Sequence, residues 1–457
     1  MRSSNSDIYG CNLQTLGGDL LITGIVEDYD FPNLAGISFI RMTQDGDIKW
    51  SKRYRLNFFV AILNQPILTM DGQILVLLVT ANYTNATSSD PNDLTENNIL
   101  LLKMNADGDI TQQFKIGDNG GLLSNLSSGY DIAEDRNGNY ILMVHNLIHK
   151  IDRNGNLIWT KFLSFGTDYL RKAVLPMPNG NLMVLGEKTN TVLFPDETNH
   201  TVITLLDENG NHIQSSAMNG IRPLHLYNIH NNQILLTGYT LGAFRRPHLF
   251  VMDMNANILR ARMLPVFNRT KRRNIISTSN GEIAMHITDN KETLLVRLDE
   301  EMNVKDARSY ASNNKSYYQL DEWGRTLVAL EDGGFAMLNN YAIGFDSPLI
   351  IRTDALGAVG DCYSARSCID TESVDIPDVL SVNVDVQNIS YTTAEILRSL
   401  NGVVENIEVK SQPFCTKIES LSPYFTLPDT ICENTPITPD ALCQAQADTW
   451  RWEIEGQ

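Results

Sequence analysis

Residues 131–160 read DIAEDRNGNYILMVHNLIHKIDRNGNLIWT, and this stretch decides the fold. It contains two tight turns, at Asn137-Gly138 and Asn154-Gly155, and an apolar run follows each of them. Asn-Gly supplies the positive φ angles that tight hairpin turns require. The stretch therefore predicts four short strands joined by hairpins. Its continuous apolar runs are typical of strands that are covered on both sides.

The same two turns alternate along most of the chain. The first kind precedes a strand of Leu, Ile, Val and Met and occurs seven times, at Gly18, Gly72, Gly138, Gly180, Asn231-Asn232, Gly281 and Gly333. The second kind follows an aspartate or another polar residue and also occurs seven times, at Gly46, Gly108, Gly155, Gly210, Ala256, Met302 and Gly357. Two hairpins in about 50 residues is the period of a four-stranded propeller blade.

The alternation predicts an all-β chain, with a seven-bladed β-propeller over residues 5–370 and a small C-terminal β-module. An array of β-sandwiches is the competing architecture, which the regular alternation disfavours. Because strands run up and down in turn, all fourteen tight turns should share one face. The long connections, among them insertions at 82–98, 187–201 and 240–247, should share the other face. Binding residues usually lie on such loops.

Composition excludes some classes of partner. The chain has 457 residues and a formal net charge of −18, which argues against nucleic acid as the main partner. No apolar run approaches the ~20 residues of a membrane helix. The polar start, residues 1–7, is not the apolar part of a signal peptide. We therefore expect either a cytosolic protein or the mature segment of a secreted one.

The sequence offers little support for catalysis or metal binding. The Asp-rich turns, such as residues 152–156, place glycine fourth and lack the final Glu of an EF-hand calcium loop, so we interpret them as structural turns. We predict no metal, no cofactor and no catalytic residue, because no Gly-x-Ser-x-Gly, His-Glu-x-x-His or phosphate-loop pattern occurs and the eight histidines are scattered. Trp50 and Trp159 are interpreted as packing residues on outer strands. The alternative is a secreted hydrolase or lyase for polysaccharides, with carboxylates assembled from distant loops.

Cations concentrate between residues 245 and 273. Six of them belong to two consecutive connections on the predicted long-loop face, namely Arg245, Arg246, Arg269, Lys271, Arg272 and Arg273. We predict that they form a basic patch that binds an acidic glycan or a protein, including another copy of this chain. The competing interpretation is a solvated run of charges.

Four of the six cysteines form two close pairs, Cys362 with Cys368 and Cys432 with Cys443. Neither spacing suits zinc, so we predict two disulfides and an oxidising compartment. The five residues between Cys362 and Cys368 are enough to close a loop. Buried free thiols remain the other interpretation.

The repeat stops after Cys368. Residues 380–386 alternate strictly between apolar and polar, and residues 403–409 do so more loosely, which predicts two edge or sandwich strands of a small β-module over 371–426. The segment 427–457 is too short for a complete Ig-like domain of ~80 to 100 residues. We therefore expect a chain cut from a longer protein.

The blades with Asp45-Gly46-Asp47-Ile48-Lys49-Trp50 and Asn154-Gly155-Asn156-Leu157-Ile158-Trp159, and the exit at residues 354–362, resemble the secreted propeller repeats of large Bacteroidota surface proteins. The segment 428–456 is similar to the opening of the PKD-like modules in such proteins. The resemblance implies export, commonly by the type IX system, and an adhesive or structural role at the cell surface. It also implies that residues 427–457 begin a PKD-like domain.

Overall fold

The computed structural model of the chain describes residues 6–28, 35–55, 59–63, 66–83, 94–116, 130–144, 147–164, 169–188, 200–240, 246–264, 272–278, 281–288, 292–311, 326–342 and 346–359, together with five short strands between 365 and 406. These residues form seven small antiparallel sheets, arranged as a seven-bladed β-propeller. The predicted fold class is therefore confirmed. In this part of the chain the structure contains no helix long and apolar enough to cross a bilayer.

Each blade is a meander of one continuous stretch of chain. Blade 1 consists of β1 (Ser6–Leu16), β2 (Asp19–Asp28), β3 (Ala35–Met42) and β4 (Ile48–Arg55). Blade 2 consists of β5 (Phe59–Leu63), β6 (Ile67–Leu68), β7 (Ile74–Tyr83), β8 (Leu94–Met104) and β9 (Ile110–Ile116). Blade 3 consists of β10 (Tyr130–Glu134), β11 (Tyr140–Val144), β12 (Leu147–Ile151) and β13 (Leu157–Ser164). Blade 4 consists of β14 (Tyr169–Pro176), β15 (Leu182–Lys188), β16 (His200–Leu206) and β17 (His212–Asn219).

The remaining blades follow the same plan. Blade 5 consists of β18 (Ile221–Ile229), β19 (Gln233–Thr240), β20 (Pro247–Met252) and β21 (Ile258–Met263), with one 3-10 turn at His230–Asn232. Blade 6 consists of β22 (Arg272–Ser277), β23 (Ile283–Thr288), β24 (Glu292–Leu298) and β25 (Val304–Ala311), and the described strands of blade 7 are β26 (Leu327–Ala329), β27 (Phe335–Ala342) and β28 (Asp346–Thr353).

The core lies between the blades. Seven clusters of buried apolar side chains each join two neighbouring blades, and the last of them closes the ring by packing Leu13 and Ile22 of blade 1 against Val328 and Leu338 of blade 7. Because each middle strand has a neighbouring blade on both sides, all residues of β11 and β12 are buried. This is the environment that the continuous apolar runs predicted.

The tight turns share one geometry. In twelve of them the N–H of the first residue donates to the carbonyl of the fifth, and the N–H of the fourth donates to the carbonyl of the first. The fourth residue has a positive φ, and it is glycine in every case except Ala256 and Met302. In a meander, the turn between the first two strands and the turn between the last two lie at the same end. The sheet order therefore confirms that the predicted turns share one face, which we call the tight-turn face.

Trp50 and Trp159 lie on outer strands, as predicted, and they also connect blades. The indole N–H of Trp50 donates to the carbonyl of Ala106 in blade 2 (3.2 Å), and that of Trp159 donates to the carbonyl of Glu208 in blade 4 (3.3 Å). Each ring also packs against the apolar cluster at its own blade boundary. The two tryptophans thus fix an outer strand to the second turn of the following blade.

Five short strands after the propeller form an outer belt. They are β29 (Ala365–Arg366), β30 (Glu372–Ser373), β31 (Val379–Ser381), β32 (Asp385–Asn388) and β33 (Val403–Asn406), and they pair with the outer strands of blades 6, 5, 4, 3 and 1 in that order. We call them the C-terminal belt. It runs around the ring in the direction opposite to the blades. All five belt strands pair with residues in the second half of an outer strand, so the belt lies toward the long-loop face.

The belt includes residues of both stretches that were predicted to be edge or sandwich strands. The described residues of these stretches do form strands, and they pair with the outer strands of the blades of the propeller. An alternating pattern identifies a strand with one covered face and does not identify the sheet that covers it. The division into a module at 371–426 and a PKD-like segment at 427–457 stays a prediction. The second segment lies outside the described residues, as do Cys362, Cys368, Cys432 and Cys443.

Candidate functional site

The first candidate site is the basic patch that was predicted for the long-loop face, and its described residues belong to blades 5 and 6. Arg246 lies directly before β20 and is exposed. Its position is fixed by the backbone, because the N–H of Thr240 donates to the Arg246 carbonyl (3.1 Å) and the N–H of Arg246 donates to the Thr240 hydroxyl (3.3 Å). These bonds close the base of the predicted insertion at 240–247.

The next connection begins beside Arg246. The N–H of Leu264, at the end of blade 5, donates to the carbonyl of Pro247 (3.0 Å). Arg272 and Arg273 then open β22, the innermost strand of blade 6, where their backbones pair with the end of β23. The structure thus places the backbones of three of the six predicted cations, Arg246, Arg272 and Arg273, at the long-loop ends of their strands. Arg245, Arg269 and Lys271 lie outside the described residues, and the clustering of all six stays a prediction.

The side chain of Arg246 is directed along the surface of its own blade. One terminal nitrogen lies 4.0 Å from the sulfur of Met263 on β21. No ion pair within the described ranges includes Arg246. Since an exposed guanidinium keeps its charge and its donors, Arg246 is available to an anion.

A second cluster on the same face was not predicted. Glu187 near the end of β15, Arg222 near the start of β18 and Tyr239 near the end of β19 meet at the boundary of blades 4 and 5. The Nε of Arg222 lies 3.0 Å from Oε1 and 3.1 Å from Oε2 of Glu187. The Glu187 side chain is completely buried, whereas that of Arg222 is 33% exposed. The guanidinium carbon lies 5.9 Å from the centre of the Tyr239 ring.

The electrostatics of this cluster follow from burial and contact. Burial lowers the pKa of Arg222, but Glu187 and Tyr239 together raise it by more, so the guanidinium stays charged. A buried carboxylate without a cation is strongly destabilising, which explains why an arginine faces Glu187. The sequence did contain a signal, since Glu187 interrupts an apolar strand in the run Leu182-Met183-Val184-Leu185-Gly186-Glu187.

Ion pairs within blades lie toward the other face. In five blades a cation two residues before the second turn pairs with an acid in or next to the first turn, at 2.6 to 2.9 Å, as in Arg41–Asp19, Lys103–Asp71, Lys150–Asp135, Arg297–Glu282 and Arg352–Asp332. Each pair joins the two turns of a single blade. We interpret the pairs as structural, because each of them fixes the two turns of one blade to each other.

The Asp-rich turns use their carboxylates internally. Oδ1 of Asp152 accepts from the backbone N–H groups of Asn154 (2.9 Å) and Asn156 (2.8 Å), and Oδ2 accepts from the Asn156 amide (2.8 Å). Asp207 and Asp253 make the same three contacts. These bonds support the interpretation of the aspartates as turn residues.

The described histidines have structural surroundings. His149 lies in the fully buried strand β12, where its Nδ1 is 2.9 Å from the Thr160 hydroxyl. Burial lowers the pKa of His149 to about 4, so the ring is neutral at physiological pH. Nε2 of His212 is 2.8 Å from the Ser215 hydroxyl at the start of β17. Both residues are ordinary strand residues, as the sequence indicated.

No family model and no curated protein sequence matches the chain. Among solved structures it is similar to selenomethionine-substituted virginiamycin B lyase from Staphylococcus aureus, with 13% identity over 76% of this chain and 97% of the other, and a TM-score of 0.44. It is also similar to an ulvan lyase (10% identity, 78% and 96% coverage, TM-score 0.44) and to a putative 6-phosphogluconolactonase from Bacteroides fragilis (13%, 81% and 99%, 0.42). Likeness at this level does not bear on the activity of this chain.

Proposed function

We propose that the chain is a binding module of a secreted cell-surface protein, and that it holds an anionic glycan or protein on its long-loop face. The observation that carries the proposal is Arg246, which is exposed, fixed by the backbone at the base of a connection, and next to the connection that leads to Arg272 and Arg273. On a chain of net charge −18, a local group of cations gives an anionic partner one preferred docking position.

The contrast between the two faces supports this assignment. The aspartates of the tight turns accept hydrogen bonds from their own turns, and five cations next to those turns are paired within their blades. A rigid frame with longer connections at the opposite end is the common arrangement of binding proteins. Export and a place in a surface assembly belong to the same proposal, and they rest on the resemblance of the turn motifs.

Charge reversal tests the proposal. Binding of the purified chain to immobilised polygalacturonate, with neutral dextran as the reference surface, is measured for the native protein and for Arg246→Glu. Arg136→Glu is the matched control, because Arg136 is an exposed arginine in a tight turn of blade 3. We expect Arg246→Glu to weaken binding by about 10- to 100-fold, since a charged hydrogen bond contributes ~1.5–3 kcal/mol. Added salt should weaken it further.

Two results would contradict the proposal. Equal binding by the native chain and Arg246→Glu would show that Arg246 is a solvated surface charge that does not take part in binding. Turnover of a polysaccharide that one loop carboxylate substitution abolishes would instead establish the alternative function, a secreted hydrolase or lyase.

A further inference from the structure

We infer that Arg222 is a carboxylate-binding subsite at the boundary of blades 4 and 5, and that its ligand is an acidic saccharide with isolated carboxylates. The inference rests on the proposed function, since it names a ligand group for the same face. It is carried by the geometry of a single guanidinium that is held on one edge and partly exposed.

Glu187 holds the guanidinium by its side edge. Both carboxylate oxygens lie within 3.1 Å of Nε, and Glu187 is the one carboxylate that pairs with Arg222 among the described residues. A guanidinium has five N–H donors, and the two terminal nitrogens form a planar fork that matches a carboxylate. Glu187 takes Nε, and the Tyr239 hydroxyl also hydrogen-bonds to the guanidinium. Since a guanidinium has five donors and this one is partly exposed, its remaining terminal donors can bind an external carboxylate.

The surroundings hold this fork in place. Tyr239 is opposite Arg222 in the pairing of β18 with β19, so its ring lies on the same side of blade 5. The Thr201 hydroxyl of blade 4 donates to the carbonyl of Ile221 (2.7 Å) and fixes the backbone next to Arg222. A guanidinium that is already oriented loses little conformational freedom when it binds.

The location distinguishes this pair from the ion pairs within blades. Arg41 and Asp19, as an example of those pairs, belong to one blade and lie toward the tight-turn face. Arg222 and Glu187 belong to different blades, and both lie at strand ends that lead into the long-loop face. Burial of Glu187 explains the pairing, while the 33% exposure of Arg222 leaves room for a ligand at the surface.

The single positive charge of Arg222 favours a saccharide with isolated carboxylates over an acidic peptide. A single guanidinium neutralises a single carboxylate. At this single guanidinium the further carboxylates of a clustered ligand would have no cation partner and would face a chain of net charge −18, whereas one carboxylate among neutral sugar units is repelled least.

The probes are a glucuronate-containing disaccharide, its methyl ester and an acidic peptide, each titrated calorimetrically into the full chain. We expect the disaccharide to bind, and its methyl ester and the peptide to bind about tenfold more weakly. The ester lacks the carboxylate that the guanidinium binds, and the additional carboxylates of the peptide are repelled by the acidic chain. Arg222→Lys keeps the charge and removes the fork, and should weaken binding by about tenfold.

A second variant guards against misfolding. Arg222→Met combined with Glu187→Gln removes the guanidinium without leaving a buried unpaired carboxylate, and it should abolish binding of the disaccharide. Arg41→Met on the tight-turn face is the control for loss of a paired arginine and should bind as the native chain does.

The outcomes separate the inference from the proposed function. If Arg246→Glu weakens polygalacturonate binding while both Arg222 variants bind the disaccharide normally, the face is a binding face and the subsite assignment is wrong. Equal binding of the methyl ester, preference for the peptide, or no binding of the disaccharide by the native chain would also overturn it.

Discussion

Gly155 offers the sharpest test of how the blades are fixed to one another. It occupies the left-handed position of the second turn in blade 3, with φ +86°. A Cβ at this position would lie 2.1 Å from two ring carbons of Phe114, which is buried in the cluster between blades 2 and 3. Gly72 has nearly the same backbone, with φ +75°, but nothing lies within 4 Å of its added Cβ. The two glycines therefore differ in packing and share the backbone requirement.

The expected losses follow from these two terms. An alanine in the left-handed region costs about 1–2 kcal/mol, which both Gly72→Ala and Gly155→Ala incur. Overpacking against Phe114 adds about 1–3 kcal/mol to Gly155→Ala alone. Gly72→Ala should thus lower the free energy of unfolding by about 1–2 kcal/mol and Gly155→Ala by about 2–5 kcal/mol.

The assay is urea unfolding of the native chain and both variants, followed by far-UV circular dichroism. Because blades contact their neighbours and can unfold in steps, the first transition is compared. Adding Phe114→Leu to Gly155→Ala should recover part of the excess loss. Equal losses for the two alanine variants would refute packing of this turn against the preceding blade.

Three further predictions concern the turns and the belt. Ala256 has a positive φ of +62°, which is unfavourable for alanine, so Ala256→Gly should raise the midpoint of thermal unfolding. A lower midpoint would show that packing of the Ala256 methyl group stabilises the fold by more than the positive φ destabilises it. Partial burial raises the pKa of Asp207, but hydrogen bonds from Asn211 and Asn209 lower it by more, so the net pKa is below its ordinary value. The ionised Asp207 carboxylate contributes its full stabilisation above its pKa in the unfolded chain, which is ~4, and this stabilisation is lost as the pH falls through the lower pKa of the folded state. In acid unfolding curves, Asp207→Asn should therefore lose less stability than the native chain as the pH falls. A chain that ends at residue 360 should unfold at lower urea concentration and associate in light scattering, since five outer strands lose their paired strand, and unchanged behaviour would mean that the belt contributes nothing.

The number of blades and the face of the turns could be predicted because each turn is encoded locally. Positive φ at a fixed position selects glycine, so ten of the twelve turns of the common geometry carry it there. The other two, at Ala256 and Met302, were recognised from their place in the alternation. Their neighbours Asp253 and Asp299 still accept the N–H of the fifth residue, which preserves the turn without glycine.

The belt and the Arg222 cluster depend on contacts that the local pattern does not encode. Arg222 and Glu187 are 35 residues apart and belong to different blades, so their meeting depends on the order of the blades in the ring. The ion pairs within blades could have been predicted in part from the sequence. Aligning the repeats would have shown a cation two residues before the second turn in five blades, at Arg41, Lys103, Lys150, Arg297 and Arg352.

The C-terminal belt also supports the backbone that holds Arg246 on the long-loop face. Met263, whose sulfur contacts Arg246, pairs through its backbone with Glu372 of the belt strand β30. The adjacent Leu264 bonds to Pro247, so the belt, the end of blade 5 and the start of β20 form one hydrogen-bonded unit behind Arg246. Loss of the belt removes the outermost strand of this unit. A belt-deleted chain that still folds should therefore bind an anion at Arg246 less tightly, because the freed edge adds a conformational cost to binding.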